Sequence, residues 1–131
     1  GRTIGVIAGG FSHLYPRENI PLAQYMMEKE LIISEYQPET RPERWQFPLR
    51  NRIIAGISRG TLVIEAKKRS GSFITADTSL NEGREVFAVP GSIFAENSAG
   101  TNQLPKMGAK LVNDPADIME EIRWGVKQRS N

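Results

Sequence analysis

The residues able to do chemistry in this chain fall into three short stretches. In Phe47-Pro48-Leu49-Arg50-Asn51-Arg52, a proline precedes two guanidinium groups and an amide. Proline suits the first turn of a helix, where its missing N–H would be unpaired in any case and where the free N–H groups attract anions. A helix from Leu49 to Ser58 puts Arg50, Asn51 and Arg52 in its first turn or so, as a phosphate site. The alternative for either arginine is an ion pair with an acidic side chain, because the helix dipole disfavours cations at a helix start. Trp45 and Phe47 offer rings on which bases could stack, as in proteins that bind single strands, with one of the two required by the core.

The second stretch, Ser70-Gly71-Ser72, follows an apolar run that ends at Glu65. Hydroxyls and unobstructed backbone N–H groups at a helix start lie at the carboxyl edge of a sheet, where open α/β sheets bind ligands. Ser70 or Ser72 as a helix cap is the plainer role, and it is compatible with binding. The third stretch, Gly9-Gly10, closes the first apolar run. It suits either a tight turn or a loop that lets a ligand approach the backbone. Gly5 and Gly9-Gly10 do not make G-x-G-x-x-G, so the dinucleotide fingerprint is absent.

Several chemistries are excluded by what is missing. The 131 residues contain no cysteine and one histidine, His13, so no thiolate nucleophile, iron–sulfur cluster or multi-histidine zinc site can form. A serine nucleophile would have only His13 as its histidine base, and the flanking residues are not G-x-S-x-G. No metal and no cofactor is expected. Arg41, Arg44, Arg50, Arg52, Arg59, Lys67, Lys68 and Arg69 stand against Glu43 and Glu65 between positions 41 and 69, a net +6 that leaves −4 for the rest of a chain whose total is +2. Such a local basic block suits a phosphate-bearing partner, the alternative being a solvated basic face. The longest mainly apolar stretch, Thr3 to Phe11, is about half a membrane span and no signal-peptide pattern precedes it, so no membrane partner is expected. The lack of cysteine is compatible with the cytoplasm, the expected location.

These residues need elements to position them. Apolar runs at Thr3–Ala8, Leu31–Ile33, Thr61–Ile64, Glu85–Val89 and Lys110–Val112 read as buried strands. Between them, residues 19–29, 49–58, 72–82, 102–107 and 114–123 read as helices, with Leu22, Tyr25 and Met26 on one face of the first. Alternation of this kind predicts an α/β domain with a mainly parallel sheet and helices on both faces. Pro105 fits a helix only if it begins near Thr101. The domain is expected to span residues 1–123, with 124–131 as a tail or linker. Met119, Ile122 and Trp124 form either the inner face of the last helix or a surface for self-association or a partner protein.

Phe47-Pro48-Leu49-Arg50-Asn51-Arg52-Ile53-Ile54-Ala55-Gly56, Ser70-Gly71-Ser72, Thr75-Ala76, Gly83-Arg84-Glu85-Val86-Phe87-Ala88-Val89-Pro90-Gly91 and Gly100-Thr101-Asn102 occur in that order. Together they resemble the DNA-processing protein A (DprA, also called Smf) family, from about residue 2 to 122. The resemblance implies a bacterial Rossmann-like domain that binds single-stranded DNA and loads the recombinase RecA in natural transformation and competence, without catalytic activity. It further implies a homodimer formed through the Rossmann-like domain. The family's domain has an earlier portion ahead of the strand at Thr3, so this sequence resembles its carboxy-terminal half to two-thirds, with the amino-terminal part missing. Family members often carry a winged-helix domain downstream. Pro105 departs from the β-branched or other helix-compatible residue usual there. The DNA- or phosphate-binding set expected here is Gly9, Gly10, Arg44, Phe47, Arg50, Asn51, Arg52, Lys67, Ser70, Gly71 and Ser72.

The competing reading is a nucleoside-monophosphate hydrolase of a related Rossmann-like group, which uses P-G-G-x-G-T-x-x-E. The corresponding stretch, Lys68 to Ala76, lacks the glutamate. Glu65 could stand in, although an ion pair with Arg50 or Arg52 is its commoner fate. A third reading is a sensor that holds a mononucleotide without chemistry.

Overall fold

The computed structural model describes residues 1–129, with side chains described through residue 123. Its chain divides into two compact units, the first ending at Ile53 and the second starting at Ile54.

In the first unit, β1 (Ile4–Val6) and β2 (Leu31–Ile33) pair in parallel with Gly5 opposite Ile32. Two adjacent parallel strands need a crossover, which α1 (Ile20–Lys29) supplies, packed on β2. Pro21 sits in the first turn of α1 as expected. Leu22 and Tyr25 are exposed and Met26 is half-buried, so the apolar face read from their spacing is only partly covered in this unit. The unit also holds the start of α2 (Gln46–Ile57).

In the second unit, β3 (Gly60–Val63), β4 (Glu85–Ala88) and β5 (Lys110–Leu111) form a parallel sheet in that order, with Leu62 opposite Phe87 and Ala88 opposite Leu111. The five expected strands therefore all form, in two wholly parallel sheets. Helix α3 (Gly71–Asn81) crosses from β3 to β4 and packs on both. Ser70 caps it by accepting a hydrogen bond from the Phe73 N–H at 3.2 Å, and the positive φ of Gly83 (+70°) ends it in the left-handed turn that suits glycine. The core consists of Val63, Ala66, Ala76, Val86, Ala88, Leu104 and Ala109, with Phe73 and Leu80 packed against it.

The expected helix at 102–107 differs. Helix α4 (Ala99–Gln103) starts earlier, and Leu104–Met107 tighten into a 3-10 turn. The ring of Pro105 would clash with the carbonyl four residues back in a continued α-helix, and the tighter turn avoids that contact. Helix α5 (Pro115–Arg129) begins where expected, its first turn closed by the Asp117 carboxylate on the Asn113 and Asp114 N–H groups. It continues past Arg123, into the stretch expected to be a tail. Met119 is exposed and Ile122 half-buried, and the Trp124 side chain lies outside the described residues.

Candidate nucleic-acid interface

The arginine cluster belongs to the first unit. Helix α2 starts at Gln46, ahead of the expected Leu49, so Pro48 lies in the first turn and Arg50, Asn51 and Arg52 lie in the second. They are one turn too far along to use the free N–H groups of the helix start. At its start Gln46, buried, turns its side-chain carbonyl back onto the Glu43 N–H, three residues earlier. The sequence reading missed that role, and the signal was a glutamine three residues after the turn.

Arg50 is half-buried. Its guanidinium donates to the Val6 carbonyl at the end of β1 at 2.7 Å and to the Asn51 side-chain oxygen at 3.0 Å, and it lies 5.8 Å from the centre of the Phe47 ring. None of these groups is an acid, and Arg50 has no ion pair among the described residues. Desolvation lowers its pKa from the usual arginine value, so the burial cost is not offset by a carboxylate. Arg52 does pair, with Glu35, and both side chains are solvent-accessible. Within this unit, then, Glu35 occupies Arg52 and neutral groups hold Arg50.

The remaining expected residues divide by accessibility. Asn51 is buried and orients Arg50. Phe47 is half-buried, with its ring edge-on to Tyr15 at 5.8 Å, whereas Trp45 is 59% exposed and donates its indole N–H to Glu43. Of the two rings, Trp45 is the one open to a base. Arg44 is exposed. Gly9 and Gly10 are buried against the loop at 37–42, and a Cβ on Gly10 would lie 2.1 Å from the Gln37 carbonyl oxygen. The space those glycines open is filled by the chain's own backbone.

The loop cluster belongs to the second unit. Ser70 caps α3, Gly71 and Ser72 are exposed, and a Cβ on Gly71 would meet nothing within 4 Å. Lys67 pairs with Glu96 at 3.8 Å across exposed side chains. Glu65 lines a cleft of about 290 Å³ with Ser72 and Thr75. Among the described residues no group of three or more His, Cys, Asp or Glu side chains could hold a metal ion, and no helix is long and apolar enough to cross a membrane.

Parallel strands joined through helices define a Rossmann-like α/β protein. The family model for DNA recombination-mediator protein A matches residues 1–123, and the chain belongs to that family. It is 54% identical to the DNA processing protein DprA of Bacillus subtilis over 122 residues, covering 93% of this chain and 41% of that protein. With DprA of Streptococcus pneumoniae it shares 47% identity over 95% of this chain and 44% of the relative. With protein Smf of Escherichia coli the identity is 42%, over 96% of this chain and 34% of the relative. The chain thus spans less than half the length of these relatives. The X-ray structure of S. pneumoniae DprA superposes with a TM-score of 0.87 at 48% identity, covering 92% of this chain and 43% of that one. The Helicobacter pylori DNA processing protein A, whose structure concerns its single-stranded DNA binding mode, gives a TM-score of 0.81 at 27% identity over 96% of this chain and 57% of its own.

Proposed function

We propose that the chain binds single-stranded DNA through Arg50, Arg52, Arg44 and Trp45 in the first unit and through the Ser70-Gly71-Ser72 loop with Lys67 in the second. On this reading, the protein loads RecA onto DNA during natural transformation, as a cytoplasmic homodimer without catalytic activity. The observation that carries the reading is Arg50, a half-buried cation held by a carbonyl, an amide and a ring, with no carboxylate beside it. A DNA phosphate supplies the missing anion, and a charge-assisted bond to phosphate is stronger than any bond Arg50 makes now. The H. pylori relative, with its single-stranded DNA binding mode, supports the same ligand.

The test is the salt dependence of oligonucleotide binding. Each phosphate neutralised on a single strand contributes about 0.7 to the slope of log affinity against log salt. Arg50→Ala is expected to lower that slope by about 0.7, and Arg50→Ala with Arg52→Ala by up to about 1.4. An unchanged slope in both removes the cluster from the interface. Gly71→Val gives a second readout. A Cβ at Gly71 meets nothing within 4 Å, so a branched side chain there is directed at what approaches the loop, with a thermal melt to check the fold. It is expected to weaken binding more than Ser70→Ala, which removes a single hydroxyl.

Glu65 beside Ser72 and Thr75 favours the hydrolase as second reading. Incubation with nucleoside monophosphates separates the two, since release of free base, abolished by Glu65→Gln, belongs to the enzyme alone.

A further inference from the structure

We infer that the groove formed by Lys68, Ile93, Ala99, Asn102, Gln103 and Lys106 in the second unit is a second contact for single-stranded DNA, taking a base on the 93–94 loop and phosphates on the two lysines. The inference rests on the reading of the chain as a single-strand binder and extends the strand beyond the residues proposed above. The groove encloses about 400 Å³, within the range of small-molecule and nucleotide pockets. Its cations are free. Lys67 is engaged by Glu96, whereas Lys68 and Lys106 have neither an ion pair nor a hydrogen bond among the described side chains. The basic run of the sequence therefore offers Lys68 to a ligand more readily than Lys67.

The apolar wall is built to be exposed. Ile93 is 83% and Phe94 92% solvent-accessible, although both would gain by burial. Their loop is nevertheless anchored at its start. The Asn102 side chain accepts from the Gly91 N–H at 3.1 Å and donates to the Gly91 carbonyl at 3.0 Å, and the Ser92 hydroxyl accepts from the Phe94 N–H at 3.2 Å. Gly91 cannot carry a side chain, because a Cβ there would lie 2.0 Å from the Ser98 hydroxyl. An anchored loop that places Ile93 in a groove with unpaired lysines and carries an exposed ring at the next residue, Phe94, has the make-up of a stacking platform with an electrostatic track. An anionic lipid surface also suits exposed Ile-Phe with lysines. A concave groove whose lining includes the amide of Gln103 favours a nucleotide, which fills it and uses that amide, over a flat headgroup layer.

The experiment measures binding of the chain to an oligothymidylate of about twenty nucleotides, longer than the usual single-fold site. It uses Lys68→Ala/Lys106→Ala, Phe94→Ala, Phe94→Trp and Arg50→Ala/Arg52→Ala, with Arg17→Ala/Lys29→Ala as a charge-matched control on exposed residues elsewhere. All substituted groove residues are on the surface, so the variants are expected to melt like the parent. The lysine pair is expected to lower the salt slope by about 1.4. Phe94→Ala is expected to weaken binding by roughly fivefold or more, with Phe94→Trp restoring it. A lysine-pair slope equal to that of the control, while the arginine pair still lowers it, overturns this inference and leaves the proposed function standing. No oligonucleotide binding by the unaltered chain overturns both. Two further arms identify other ligands. Binding to phosphatidylglycerol vesicles that Phe94→Ala abolishes, without an effect on DNA, overturns the groove as a DNA contact. Thymidine 5′-monophosphate binding as tightly as the oligonucleotide, and lost in the lysine pair, assigns the groove to a free nucleotide and overturns it as well.

Discussion

The two units are held together by different means. The second has a contiguous apolar core centred on Leu104, Phe73 and the alanines of β4, α3 and the 66 and 109 turns. The buried positions of the first are Val6 and Ala8 together with Gly9, Gly10, Gln46 and Asn51, which are mostly backbone and polar groups. Its loops are fastened by hydrogen bonds instead. The Gly10 N–H donates to the Thr40 carbonyl at 2.8 Å, the Ser12 N–H to the Pro38 carbonyl at 2.9 Å, and the Ser34 hydroxyl to the Gly9 carbonyl at 2.7 Å. Apolar packing tolerates exchange among side chains of similar volume, whereas a fastening of this kind depends on backbone atoms staying in place. The arginine cluster sits on the second sort of support, with the Arg50 guanidinium itself bonded to the Val6 carbonyl of β1.

Substitutions can break or sharpen this contrast. The largest loss is expected from Leu104→Ala. Leu104 is fully buried, and removing it leaves a cavity in the core, for a cost of about 2–5 kcal/mol by urea unfolding. A cost below about 1 kcal/mol would mean that the second unit lacks the rigid core described here. Next is Gly10→Ala. One added methyl must displace the Gln37 and Pro38 carbonyl oxygens, at 2.1 and 2.3 Å, and overpacking of this kind costs about 1–3 kcal/mol. Its sharper readout is hydrogen exchange, with the Gly10 and Ser12 amides losing protection while those of β4 keep it. Equal loss in both units would erase the distinction between them. The smallest effect is expected from Tyr36→Phe. The Tyr36 hydroxyl is buried with no hydrogen-bond partner among the described residues, so its removal is expected to leave stability within about 0.5 kcal/mol or to raise it slightly. A loss well beyond that would show the hydroxyl to be bonded in solution.

The second unit was the more legible of the two. Its helix ends carry Ser70, Gly83 and Pro115, residues that act through local geometry and so can be recognised one at a time. Pro105 signalled a difficulty without its solution, since only the burial of Leu104 just before it fixes where the helix gives way to the tighter turn. In the first unit, the presence of Arg50 and Arg52 near a helix start was legible, and their different partners were not. Val6 lies 44 residues from Arg50, and Glu35 lies 17 residues from Arg52. No local pattern says which arginine meets a carbonyl and which a carboxylate. The Gly9-Gly10 pair likewise left open whether a ligand or the chain itself would fill the space, because the loop that fills it lies far along the sequence.

The carboxylate of Glu35 on Arg52 is a resident surrogate for phosphate. It offers the guanidinium an anionic oxygen as a phosphate would, and because it is tethered its local concentration is on the order of millimolar or above. A free inorganic phosphate has to compete with that tethered rival one contact at a time. A polymer held at Arg50 and elsewhere presents its next phosphate at a comparable local concentration, so it can displace Glu35 where a lone ion does not. On the function proposed above, the ion pair favours anions that come joined in a strand over those that come singly.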